Sequence, residues 1–170
     1  MEEFESSDCT VDLRWMVQGK EREVTVTFSD DEDESVVIRI LIPGVPVGKG
    51  RPRMTRTGHA YTPEKTRLYE DKIALFGHQA MGGKRPLEGY LTIQVEAVFP
   101  VPESWSKKKM KMALDGKLFP GRPDIDNLLK AIDGLNGIVW KDDAQIILAV
   151  VSKRYGHVPH LAIYVEAAEE

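Results

Sequence analysis

Apolar positions recur along the chain with two spacings, two residues and about 3.6, and the switch between them outlines the elements. Val36–Ile42 is an apolar, β-branched run that reads as a buried strand. Tyr90–Phe99 alternates apolar and polar as a strand does, and Leu161–Val165 closes the pattern with another. Gln145–Lys153 is mostly apolar, which predicts a central place in a sheet. Helical spacing lies between these runs. Thr62 as a hydroxyl cap, Pro63 in the first turn and Glu64 behind them open a helix. Tyr69, Ile73, Phe76 and Ala80 form its apolar face, and Gly82-Gly83 ends it. After a turn at Pro100–Glu103, Ser104–Leu114 forms a short helix, and a further helix starts at Asp126 and runs to about Asn136.

Upstream, residues 11–18 and 22–29 alternate imperfectly around Gly19-Lys20-Glu21, the pattern of a β-hairpin. Asp30–Glu34 is an unbroken acidic run without the glycine or ligand spacing of a calcium loop, and so reads as a flexible linker. The expected architecture is α+β, a mixed β-sheet packed with a few helices. Residues 1–39 form an acidic appendage of hairpin plus linker, and residues 40–170 form the main domain.

Composition narrows the class. With 42 % apolar and 29 % charged residues among 170, the chain is neither mostly disordered nor too small for a core of its own. No run approaches the roughly 18 apolar residues of a membrane span. The acidic first residues lack the apolar centre of a signal peptide. Cys9 is the one cysteine, so neither an internal disulfide nor a cysteine zinc site is expected, and the reducing cytoplasm is the expected compartment. The net charge of −4 argues against nucleic acid only until its distribution is seen. Residues 1–39 carry four basic against twelve acidic side chains. Residues 47–85 carry nine Lys or Arg against three acids, a balance that suits contact with phosphates, although a solvated face would look the same.

The densest chemistry runs from Gly121 to Asp143. Asp124 and Asp126 are two apart, so on extended chain their carboxylates point the same way, and Asp126 stands at a helix N-cap. Lys130 lies one turn on. Asp142-Asp143 precedes the next apolar strand, and since adjacent strand residues face opposite ways, one of the two is expected to join the first cluster. Converging carboxylates repel unless a cation lies between them, and oxygen-only ligands select Mg²⁺ or Mn²⁺ over zinc. Such an ion can activate water for attack on phosphorus, and a nearby lysine can offset the developing charge. Singly, Asp126 is a cap, Lys130 its ion-pair partner and Asp142-Asp143 a solvated turn; the combination beside a basic surface is what points to phosphate chemistry. Gly44–Gly50 partly matches a phosphate loop, but it has three residues between the first glycines and Gly50 where Ser or Thr must bind Mg²⁺. His59, His78, His157 and His160 lack metal spacing, and Ser104 and Ser152 lack a visible base.

Two stretches together resemble the RusA family of Holliday junction resolvases, found in bacteria and their prophages. One is Pro123–Lys130 (Pro-Asp-Ile-Asp-Asn-Leu-Leu-Lys) followed by Asp133–Ile146; the other is Gly48–Pro63, with its Lys-x-Arg-Pro-Arg string and Tyr-Thr-Pro before a helix carrying Tyr69. Order and spacing agree over about residues 40–166. The resemblance implies a RusA-like nuclease domain over residues 40–170. It implies a homodimer that binds four-way junction DNA by shape and nicks two strands symmetrically, using Mg²⁺, with Mn²⁺ able to substitute. Neither a membrane nor an organic cofactor is expected from it. It assigns Asp124, Asp126 and Asp143 as metal ligands and Lys130 as the lysine beside the scissile phosphate, with no firm role for Asp142. Asp133 is left without a role, because the segment from Lys130 to it is one residue shorter than the family's form. Residues 1–39 have no counterpart. Lys49, Arg51, Arg53, Arg56, Lys65, Lys107, Lys108, Lys109 and Lys111 are the candidate DNA contacts. A branched-DNA-binding module without activity, or a metal-dependent nuclease for flaps or duplex, would share these features.

Overall fold

The computed structural model describes residues 9–17, 20–28, 38–51, 53, 54 and 56–168, the first two stretches and Arg53 by backbone alone. It divides into two units, Met1–Glu34 and Ser35–Glu170. In the first, β1 (Cys9–Val17) and β2 (Lys20–Phe28) pair antiparallel. The acidic run expected to form a linker lies outside the described residues.

The second unit is built on β3 (Ile38–Pro43), β6 (Leu91–Pro100), β7 (Ile146–Gly156) and β8 (His160–Ala167). A two-residue pair, β4 (Arg53–Met54) and β5 (Ala60–Tyr61), makes a small separate ribbon. The four long strands are ordered β3-β8-β6-β7, antiparallel except for the parallel β6–β7 pair, so the sheet is mixed. A parallel neighbour needs a long crossover, and here residues 101–145 supply it with α2 (Lys107–Leu114) and α3 (Ile125–Ala131). α1 (Glu64–Met81) packs against β3, and α3 against β7.

Alternation explains the layering. Ile38, Ile40 and Ile42 of β3, Leu91, Ile93, Val95 and Ala97 of β6, and Leu161, Ile163 and Val165 of β8 all turn to one buried side. They meet Tyr69 and Ile73 of α1, Leu128 and Ala131 of α3, and Leu135, Val139 and Trp140 beyond it, forming one core. α1 buries Thr66, Tyr69, Ile73, Gly77 and Met81, while the expected Phe76 and Ala80 lie at the flank, partly buried. It ends at Gly82, whose positive φ of 54° suits glycine. Among the described residues no helix is long and apolar enough to cross a membrane.

Three local expectations are corrected. β7 is an edge strand, not a central one, with Gly156 its one buried residue and Ile147 and Leu148 exposed at 59 % and 55 %. Its apolar run reflects an uncovered edge; Ile147 is the residue skipped where the β6 register shifts between Leu91 and Thr92. The N-cap position of the helix after Pro123 is Asp124, not Asp126, and the helix gives way after about two turns to a 3₁₀ turn at Ile132–Leu135. At α1 the N-cap position is Pro63, with no side-chain hydrogen bond there, so Thr62 is not its cap.

Candidate functional site

The site is organised around α3. Asp124 holds an extended backbone (φ −69°, ψ 152°) and its carbonyl receives the first helical hydrogen bonds, from Asn127 and Leu128. Asp126 is thereby placed in the first turn, where a carboxylate is favoured by the helix dipole, and Lys130 in the last, where an ammonium is. The two meet at 3.0 Å, an exposed i,i+4 pair. The hydrogen bond from Lys130 holds the Asp126 carboxyl below its ordinary range.

Asp124 lines a cleft of about 640 Å³ together with Lys49, Arg51, Arg122 and Asn127. Its floor includes Gly48 and Phe99. The loop carrying Gly48 and Lys49 meets the start of α3 at this cleft through backbone: Lys49 N–H donates to the Asn127 carbonyl at 2.8 Å. Gly48 permits the approach, since a Cβ there would lie 2.7 Å from Pro123 Cβ. Lys49 itself points away from a phosphate role. Its ammonium is 2.8 Å from Asp133 and 3.4 Å from Glu70, and the Asp133 hydrogen bond raises its pKa.

Lys130 lines a second cavity, about 350 Å³, with Asp133, Asp143, Trp140 and the exposed start of β7. Asp143 accepts a 2.8 Å hydrogen bond from the Nε1 of Trp140, whose ring is wholly buried, so the core fixes this carboxylate. Asp142 instead accepts from Ala144 N–H and caps the 3₁₀ turn at Asp143–Gln145. The adjacent pair is separated by that turn and not by strand alternation. Gln145 organises it: its Oε1 accepts from Lys141 and Asp142 N–H, and its Nε2 donates to the carbonyls of Leu87 and Gly89.

Lys130, Asp126 and Asp143 are therefore neighbours of one cavity or of each other, and Asp124 lines the other cleft. The three assigned carboxylates offer the oxygen donors a hard cation takes. Among the described residues, however, no group of three acidic, His or Cys side chains is placed to hold a metal ion. The three-carboxylate centre does not fit the geometry as it stands, because Asp124 lines one cleft, Asp143 the other cavity, and Asp126 neither.

Of the other basic candidates, Arg56, Lys65, Lys107, Lys108, Lys109 and Lys111 are exposed, and the side chain of Arg53 lies outside the described residues. Lys109 rests 3.8 Å over the Trp105 ring, which in turn meets Tyr155 edge-on. Sequence reasoning passed over Arg122, Gln145 and Lys153. A place two residues before Asp124 is the signal for Arg122, and the Asp-x-x-Gln capping pattern is the signal for Gln145.

Comparison with known proteins agrees with the two sequence blocks. Residues 43–166 match the family described as Endodeoxyribonuclease RusA. A curated relative, Uncharacterized protein YqaN of Bacillus subtilis (strain 168), is 35 % identical over 138 residues, covering 75 % of this chain and 94 % of the relative. The chain belongs to the RusA endodeoxyribonuclease family.

Proposed function

We propose that this protein is a structure-selective endodeoxyribonuclease that resolves four-way DNA junctions by paired, symmetric nicks. The observation that carries this reading is the cleft that Asp124, Arg51 and Arg122 line together, two guanidiniums able to grip phosphate beside a carboxylate. Lys130 offsets charge at the scissile phosphate, and Lys65, Arg56 and the lysines of α2 hold the arms of the junction by their backbones. RusA nucleases depend on a metal in general; Asp124, Asp126 and Asp143 are the ligands we assign to Mg²⁺ or Mn²⁺. Holding one ion with all three requires the carboxylates to converge, and Asp126 and Asp143 each keep an oxygen that Lys130 or Trp140 does not engage.

Two symmetric nicks call for two sites related by a two-fold axis, hence a homodimer. The unpaired edge of β7, with Ile147 and Leu148 exposed next to Lys130 and Asp143, supports pairing of a second copy there. Cleavage of a synthetic four-way junction beside matched linear duplex, in Mg²⁺ and in EDTA, with Asp126→Asn in parallel, tests the reading. Paired nicks confined to the junction and lost with EDTA and with the variant are expected. Tight binding without nicks would make the protein a junction-binding module, and nicks in every substrate a general nuclease.

A further inference from the structure

The loop that delivers Asp124 is gripped from the sheet. Lys153, half-buried on β7, donates from its Nζ to the carbonyl of Gly121 at 3.0 Å and to that of Pro123 at 3.0 Å. These carbonyls bracket Arg122, and the second immediately precedes Asp124. The strand end of the tie is firm, because Lys153 stands opposite Ala97 in the parallel ladder to the central strand β6. On the other side of the loop, Gly48 packs against Pro123 and Lys49 N–H holds Asn127. The two charged cleft-lining residues of this loop, Arg122 and Asp124, thus sit on backbone fixed between two supports. An ammonium suits such a tie, because it donates up to three hydrogen bonds, accepts none, and bonds carbonyls with charge assistance.

We propose that Lys153 is a positioning residue for DNA cleavage, fixing the Gly121–Pro123 carbonyls so that Arg122 and Asp124 enter the cleft in the direction cleavage needs. This rests on the nuclease reading above. Lys153 acts through the loop and does not touch the substrate. A phosphate contact by the same ammonium is the competing role.

Full-length wild type, Lys153→Met and Lys153→Arg are compared by hydrogen–deuterium exchange, by junction affinity across a salt series without divalent ions, and by single-turnover cleavage. The Met variant should exchange faster over residues 119–127 with the core unchanged. Its salt slope should match wild type and its junction affinity should fall by no more than a few-fold through Arg122, while cleavage falls roughly tenfold to a hundredfold, the scale of an ångström-sized misplacement. The Arg variant should recover part of the rate. If Lys153→Met does not fold, Lys153→Gln, which can still donate to a carbonyl, carries the same comparison. Unchanged exchange in the loop, or unchanged cleavage despite faster exchange, would overturn the role. A salt slope reduced by about one would make Lys153 a phosphate contact and overturn it too. A wild type that cuts no branched substrate would instead sink the nuclease reading itself, and the positioning role with it.

Discussion

Gly48→Ala is the sharpest probe of how the cleft is built. The added Cβ would lie 2.7 Å from Pro123 Cβ and 3.1 Å from Asn127 Cβ. Carbon atoms in contact prefer about 3.5–4.0 Å, so the two loops must part by about 1 Å. Neither neighbour yields easily: a proline ring carbon is nearly rigid, and Asn127 Cβ is fixed by α3. Parting also strains the Lys49–Asn127 backbone hydrogen bond of 2.8 Å and the 2.8 Å contact between Lys49 and Asp133. Overpacking of this kind costs about 1–3 kcal/mol. The same displacement moves Arg51 away from Asp124 and Arg122 across the cleft, which on the scale of misplaced catalytic groups slows cleavage by up to roughly a hundredfold. Urea denaturation reads the first effect, and single-turnover junction cleavage at full binding reads the second. A variant as stable and as fast as wild type would refute the idea that glycine at this position sets the width of the cleft.

Two further outcomes follow from individual side chains. Gln145→Ala strips four hydrogen bonds from the Lys141–Asp143 turn and the Leu87–Gly89 loop, three of them exposed and the one to Leu87 part-buried, and should cost about 1 kcal/mol in denaturant because water reaches most of the released backbone groups. Its cleavage should fall by more than stability explains, since Asp143 loses its frame; equal activity at a temperature where both are folded would argue otherwise. Tyr69 is 7 % exposed, its hydroxyl has no hydrogen-bond partner of good geometry, and burial pushes its pKa up to about 12 from 10.0. With the folded value raised, the stabilisation is complete below pH 10 and is lost as pH rises toward 12, by roughly 2–3 kcal/mol. Wild type should therefore lose that stability relative to Tyr69→Phe across this window, and parallel pH profiles would show that the hydroxyl titrates freely.

The α+β class and the mixed sheet were legible from periodicity, since alternation at Leu91–Ala97 and helical spacing at Tyr69 and Ile73 each reflect one covered face. Sheet order was not. An apolar strand such as Ile146–Val151 is ambiguous between a strand buried on both faces and one with an uncovered edge, because composition records what a strand could bury and not what covers it. The N-cap was misplaced by two residues because Asp124 and Asp126 are both acceptable caps, and only the chain's exit from Pro123 decides between them. The candidate residues were found through their spacing, but their division between two cavities depends on which side of α3 each lies, a tertiary fact. Asp133, left without a role by the sequence, proves to be the partner of Lys49 across 84 residues, a pairing no local pattern encodes.

That pairing changes how the basic segment is counted. Nine Lys and Arg between residues 47 and 85 suggest a uniformly attractive surface, but Lys49 stands between Asp133 and the buried oxygen of Glu70. One cation against two carboxylates leaves that cluster acidic, so it adds no attraction for a phosphate. What it does is tie the 48–51 loop to α1 through Glu70 and to the turn after α3 through Asp133. Arg51, two residues on, is left facing the cleft with Arg122. The signature string Lys-Gly-Arg therefore divides its labour: the lysine anchors, the glycine at 50 lies close over Thr66, where a Cβ would meet the Thr66 hydroxyl oxygen at 2.9 Å, and the arginine is presented. With Lys153 holding the opposite loop, two lysines serve as internal supports, and under the proposed nuclease reading the guanidiniums are what the cleft offers to DNA. Charge counts along the sequence cannot separate these roles, because a lysine bound to carboxylate or carbonyl is identical in composition to one waiting for phosphate.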